Sequence, residues 1–314
     1  MNLRRFFAVR FFLRLSFYVG LVLGCAALSP AVAAAPDASA GLTLAKLVVA
    51  LKPDKNPELM LQEKRALEGF LSGELGRPVE VVIPLSAATI LEGLANGSID
   101  LGYLSATDMV NARNRSIAHV LLAGEFRDGR TAYDSYWVVK QDSPHRSIAD
   151  LRGRPVAFAS KTSTSGFVIP LLDLRSRGLI GEDGNAEAFF GRGNLYFGVG
   201  YVSAIERVLA GDAEAAAVSY YVLDLDKHLS SQQRSQLRML QKQGPVPSHV
   251  IAVRASLGDA DTALLRAAVL GLNVPAQLAL RDKLFTTRLV PVDEAAHLAP
   301  LADGLALAGR ALRQ

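Results

Sequence analysis

From residue 47 onward, short apolar runs alternate with longer segments whose apolar residues recur at helical spacing, and this alternation constrains the fold more than any other feature of the chain. Such a succession calls for a mostly parallel sheet with helices on its faces, an α/β architecture. Residues 47–51 read as a first strand. Residues 58–75 read as a helix carrying Met60, Leu67, Phe70, Leu71 and Leu75, stopped at Gly76 and followed by a strand at 79–83. Ser86 is placed to cap a helix that sets Ile90, Leu91 and Leu94 on one face, with Asn96-Gly97 ending it before a strand at 99–104. The second half predicts a strand at 154–159, a helix at 166–177, a strand at 187–190, a helix at 202–209 and a strand at 215–219.

The halves share a local pattern. Residues 95–105 and 209–219 both run helix end, Gly, acidic residue, apolar strand, Ser, ending at Ser105 and Ser219. Two similar α/β lobes are expected, although Gly after a helix is common in any α/β protein. A β-rich run at 136–140 leads out of the first lobe, and Gly244-Pro245-Val246-Pro247 leads back into a strand at 250–253, so two crossings form a hinge. The expected division is 43–137 plus 248–314 for the first lobe and 138–247 for the second. The helical segment 259–271 and the Ala/Leu-rich C-terminus are expected to pack on the first lobe.

Residues 1–35 have another character: Arg4, Arg5, Arg10 and Arg14 precede an apolar run, and Ala31-Val32-Ala33 offers small residues for cleavage. That is the layout of a secretory signal peptide, and the run is short for a membrane span. Leu23-Gly24-Cys25 is an imperfect lipoprotein signal, so anchoring through Cys25 stands beside plain export. Cys25 is the only cysteine, which leaves the processed chain without a disulfide or a nucleophilic thiol. Of 34 basic residues four leave with the leader, so 30 face 30 acidic ones. This balance gives no support for nucleic-acid binding.

The most specific local motif is Ser163-Thr164-Ser165-Gly166, set between a strand and an apolar helix. The first N–H groups of a helix lack internal partners and lie at the positive end of its dipole, so a tetrahedral oxyanion fits there, with neighbouring hydroxyls donating further bonds. Capping alone needs one hydroxyl; the motif supplies three and a glycine. The scattered His119, His145, His228, His249 and His297 show no metal-ligand spacing. No nucleophile elbow, phosphate loop or dinucleotide fingerprint occurs, so no metal or cofactor is expected.

Residues 163–170, Ser-Thr-Ser-Gly-Phe-Val-Ile-Pro, resemble the signature of the phosphate/phosphite/phosphonate-binding proteins of ABC importers. Tyr133-Asp134-Ser135, Asp142-Ser143-Pro144, the stretch 150–158, Leu75-Gly76-Arg77-Pro78-Val79 and Val246-Pro247 agree with that family in order and spacing. The resemblance implies a type II periplasmic-binding fold with the ligand between the lobes. It assigns Ser163, Thr164, Ser165 and the Gly166 N–H to the oxyanion, with Tyr133 reaching it from the first lobe. Tyr201, Ser219, Ser105 and Tyr103 are further candidates as hydroxyls at strand or loop ends. The chain departs from the family at Ala87 and at Gly200-Tyr201, and has Ser219 where some members carry an acid, which weakens the case for an aminoalkyl ligand. The expected protein is a monomeric, non-enzymatic binder of a small oxyanion that docks on a membrane permease. A sensor reporting to a receptor kinase, a sulfonate binder, or an enzyme using Ser163 or Ser165 are the alternatives.

Overall fold

The strands form two sheets joined by two crossings. The computed structural model describes residues 41–52, 57–225, 228–285 and 287–313; the expected leader and Cys25 lie outside them. The chain first lays down β1 (Leu47–Ala50), β2 (Val79–Val82), β3 (Leu101–Leu104) and β4 (Ala118–Glu125). It then crosses to β5 (Ala132–Lys140), β6 (Val156–Phe158), β7 (Leu195–Phe197), β8 (Ala215–Ser219) and β9 (Leu237–Pro247), and returns to β10 (Val250–Arg254) and β11 (Arg288–Val290). The sheet orders are β11-β4-β10-β3-β1-β2 and β7-β6-β8-β5-β9. In each, three parallel strands (β2, β1, β3; β7, β6, β8) meet an antiparallel strand contributed by a crossing, β10 in the first sheet and β5 in the second.

Helices α1 (Pro57–Leu75), α2 (Ala87–Asn96) and α3 (Ala106–Asn114) belong to the first half; α4 (Ile169–Ser176), α5 (Glu187–Phe190), α6 (Tyr201–Ala210), α7 (Tyr221–Asp224) and α8 (Ser231–Ser235) follow in the second; α9 (Asp259–Leu270), α10 (Leu278–Phe285), α11 (Glu294–Leu298) and α12 (Ala302–Ala311) complete the chain. Local sequence explains their ends. The Ser86 hydroxyl accepts from the Thr89 N–H at 3.3 Å, α2 buries Ile90, Leu91 and Leu94, and Gly97 closes it in the left-handed region. All of β8, Ala-Ala-Ala-Val-Ser, is buried, as expected of a strand covered on both faces.

Four expectations are corrected. The first crossing lies at residues 126–131 and not at 137/138, because β5 pairs with β8 and β9 along its length and so belongs wholly to the second sheet, Tyr133 included. The sequence shows a β-rich run there but not which sheet adopts it. Residues 187–190 are helical, and the strand of that unit is β7; Phe189 and Phe190 are both buried, which a helical turn allows and strict alternation does not. The helix expected from residue 166 begins with one wide π-helical turn, Thr164–Val168, before α4. Finally, α12 packs on α4 of the second lobe: a Cβ at Gly304 would lie 2.7 Å from Leu172 and 2.8 Å from Val168. That closeness is why glycine stands there, and composition alone does not say which lobe the helix covers.

The crossings are bonded to each other. Ser248 donates its N–H to Thr131 O at 3.0 Å and its hydroxyl to Gly124 O at 2.6 Å, while His297 Nε2 donates to Ser248 O at 3.1 Å.

Candidate ligand-binding site

The Ser163–Gly166 motif lies where the two lobes meet. Ser163 caps the π-turn by accepting from the Gly166 N–H at 3.0 Å, and the Val168 N–H closes the turn on Ser163 O at 3.0 Å. The Gly166 N–H is thereby spent on the cap, a correction to its expected place on the oxyanion, while the N–H groups of residues 164, 165 and 167 precede the first bond within the turn. Turns of this type recur at functional sites. A Cβ at Gly166 would fall 2.4 Å from that of Ala159 and 3.2 Å from Ala217 O. Glycine is thus required here to seat the turn against β6 and β8, and not only for the approach of a ligand.

Each hydroxyl has a different setting. Thr164 reaches across to the first lobe: its Oγ1 lies 2.8 Å from Thr107 Oγ1 and accepts from the Thr107 N–H at 3.3 Å. Ser165 is fully buried; its Oγ is 2.7 Å from Tyr201 OH and 3.5 Å from Tyr133 OH, and its carbonyl accepts from Ser135 Oγ at 2.6 Å. Ser135 in turn accepts from Gln243 Nε2 at 2.8 Å. Tyr133, Ser165 and Tyr201 thus form one chain of hydroxyls, and the Tyr221 ring packs edge-on against Tyr201 at 5.5 Å. An open chain of hydroxyls always holds one proton more than its internal bonds use, and that proton needs an outside acceptor. Burial, then the neighbouring Tyr201, pushes the Tyr133 and Tyr221 phenols well above the ordinary tyrosine range. Both are neutral donors at neutral pH.

Ser219 is fully buried at the end of β8 and its Oγ has no hydrogen-bond partner. It stands opposite Ser135 in the β5–β8 ladder, and directly opposed residues share a face of the sheet. Ser135 contacts the π-turn, so Ser219 faces the same side. Ser105 is differently placed: it caps α3, accepting from the Asp108 N–H at 3.2 Å and donating to the Asp108 carboxylate at 2.6 Å. Tyr103 projects from β3, its ring 5.3 Å from His249 and 5.0 Å from Phe285, with burial raising its pKa. Tyr133 contacts Ser165 from the second sheet, a correction to its expected place in the first lobe.

Beside these groups lies a cavity of about 430 Å³ whose walls come from both lobes, among them Lys52, Tyr103, Tyr133, Tyr201, Tyr220 and His249. Tyr133 and Tyr201 line it; the motif residues lie behind them. Sequence reasoning missed Thr107, Ser135 and Gln243. A signal for Thr107 existed, since Ser105-Ala106-Thr107 after β3 is a hydroxyl-bearing helix start like that at 163–165. Ser135 and Gln243 act through strand pairing across more than a hundred residues, which no local pattern reveals.

Comparison with known proteins gives consistent results. The family described as "ABC transporter, phosphonate, periplasmic substrate-binding protein" matches residues 49–297. The phosphate-import protein PhnD of Mycolicibacterium smegmatis is 24% identical over 218 residues, 68% of this chain and 67% of that protein. Among solved structures, XAC2383 from Xanthomonas citri bound to chloride superposes with a TM-score of 0.71 at 23% identity, over 85% of this chain and 99% of the other. PhnD1 from Prochlorococcus marinus in complex with methylphosphonate gives 0.69 at 19%, over 86% and 98%. At these identities the structures establish the fold: two lobes of the type II periplasmic-binding kind.

Proposed function

Because this chain belongs to the periplasmic substrate-binding proteins of phosphonate ABC transporters, we propose that it captures one phosphorus oxyanion between its lobes and presents it to a membrane permease. Thr164, Ser165 and the N–H groups of the π-turn other than that of Gly166, which Ser163 holds, supply the anion site; Tyr133, Tyr201 and Ser219 supply further hydroxyls, and Thr107 closes it from the first lobe. The carrying observation is a surplus of donors. A buried hydroxyl chain with a proton to spare, a buried Ser219 Oγ without a partner and a helix start all converge on one side of β8. A buried polar group left unsatisfied costs about 1–3 kcal/mol, which an anion accepting from it recovers.

Charge-assisted hydrogen bonds contribute about 1.5–3 kcal/mol each, so three or four, less the entropy of association, support roughly micromolar affinity or better. The contacts of Ser163 and Ser165 are to the Gly166 N–H and to tyrosines, an arrangement that binds rather than activates a nucleophile. The protein acts as a non-enzymatic, exported monomer, free or lipid-anchored, and Ser219 in place of an acid turns it away from aminoalkyl ligands.

Calorimetric titration of the purified protein with phosphate, phosphite and methylphosphonate tests this. At least one binds, and Ser165→Ala weakens it tenfold or more, about 1.4 kcal/mol. Absence of binding by all three, or equal affinity in the variant, overturns the assignment.

A further inference from the structure

The cavity between the lobes is too large for a simple oxyanion and its walls are of a different kind. Five of the chain's eight tyrosines line it: Tyr103, Tyr133, Tyr201, Tyr220 and Tyr221. Their rings, with Phe126, His249 and Phe285, form a continuous series of contacts. Tyr103 lies 5.3 Å from His249; Tyr133 lies 6.5 Å from His249 and 5.8 Å from Tyr220; Tyr220 lies 5.8 Å from Tyr221, and Tyr221 5.5 Å from Tyr201. Aromatic residues are only 7% of the sequence, so this concentration is local.

Water takes about 30 Å³ per molecule, so 430 Å³ corresponds to roughly fourteen waters, whereas the five heavy atoms of methylphosphonate fill on the order of a third of it. Aromatic walls with a few fixed polar groups are the usual lining of a site for an organic ligand. Protein rings pack with another ring at 4.5–7 Å centroid separation, offset or edge-on, for a gain beyond area burial. A cation would also favour tyrosine faces, but the charged side chains of the lining are Lys52 and Lys283 against Glu63, with Asp108 3.9 Å from Lys52, so the chamber holds no excess of negative charge for a positive substituent.

Resting on the function proposed above, we infer that the physiological ligand is an organophosphonate or phosphate monoester whose substituent is a planar aromatic ring, held in the tyrosine-lined chamber while the phosphoryl group binds at the π-turn. Tyr220 is the specificity-determining residue most cleanly separated from the anion site. Its ring lies 5.9 Å from Phe126, 5.8 Å from Tyr133 and 5.8 Å from Tyr221, and it is outside the hydroxyl chain around Ser165.

The test is calorimetric titration with phenylphosphonate, methylphosphonate and phosphocholine on the wild type, Tyr220→Phe and Tyr220→Ala. Phenylphosphonate is expected to bind about tenfold tighter than methylphosphonate. The preference should persist in Tyr220→Phe and fall to about threefold or less in Tyr220→Ala, with methylphosphonate unchanged. Methylphosphonate binding as tightly as phenylphosphonate, or phosphocholine binding tightest, overturns the aromatic substituent and leaves the oxyanion site standing. Failure of all three, and of inorganic phosphate and phosphite titrated alongside, removes both.

Discussion

Ser105, just past β3, and Ser219, the last residue of β8, follow the same Gly–acid–apolar pattern in the two lobes and are both buried, yet their chemistry is opposite. Ser105 is fully engaged: it accepts from the Asp108 N–H, donates to the Asp108 carboxylate and so caps α3. Ser219 caps nothing. The short helix after it starts from Tyr220 without a side-chain cap, and the Ser219 hydroxyl has no partner. The difference separates architecture from function: one serine holds a helix end, the other carries a cost that only a ligand, or a water in its place, relieves. On the function proposed above, lobes built from similar units divide the work, the first supplying a closed wall and the second the open donors.

The most forceful way to break this asymmetry is to disturb the seat of the second lobe's donors. Gly166→Ala puts a methyl group 2.4 Å from Ala159 Cβ, with strand backbone at 3.2 Å behind it. Overpacking of this kind costs about 1–3 kcal/mol, and the π-turn must shift to relieve it. Both the denaturation midpoint and oxyanion affinity should fall. Loss of stability with unchanged affinity would show that the turn does not hold the anion.

Next in size is Ser105→Ala, which removes a cap and leaves the buried Asp108 carboxylate short of a donor. About 1–2 kcal/mol of stability should be lost, read from denaturant unfolding, with oxyanion affinity unchanged within about twofold. A comparable loss of affinity would place Ser105 in the site and erase the contrast. Ser219→Ala should show the reverse pattern. Deleting a buried hydroxyl that has no partner is neutral or stabilising, while the loss of one hydrogen bond to the anion weakens binding by about five- to tenfold. If affinity is unaffected, Ser219 is merely a tolerated defect.

The sequence makes one of these serines more legible than the other. The hydroxyl-rich helix start at 163–166 and the Ser86 cap are local patterns, and local patterns survive into the structure. So does the two-sheet organisation, since strand and helix periodicities are properties of short windows. What escapes is whatever depends on partners distant in the chain. Tyr133 sits in the second sheet because β5 pairs with β8 and β9, Thr107 matters because α3 meets Thr164, and α12 covers α4 through Gly304. Residues 187–190, expected as a strand, fold as a helix for another reason: four residues rich in Phe suit a short buried helix as well as a strand. The cavity, too, is assembled from residues between Leu51 and Thr287, no two clusters of which announce each other.

The smallest effect belongs to His297, a second buried polar group of the engaged kind. It donates from Nε2 to Ser248 O, beside the return crossing, and burial holds its pKa below the usual histidine value of 6.5 although the hydrogen bond pulls upward. The unfolded chain therefore takes up this proton first as pH falls. Stability from neutral His297 is fully present above 6.5 and is lost progressively as pH drops toward the lower folded value. Denaturant midpoints compared at pH 7.5 and 5.5 should show a decline in the wild type that is reduced in His297→Gln, which keeps a donor but has no titrating group. Affinity for the oxyanion at pH 7.5 should be the same in both proteins. If His297→Gln instead weakened binding while leaving the pH dependence of stability intact, the engaged groups at the crossing would belong to the ligand machinery, and the division between the two kinds of buried polar residue would not hold.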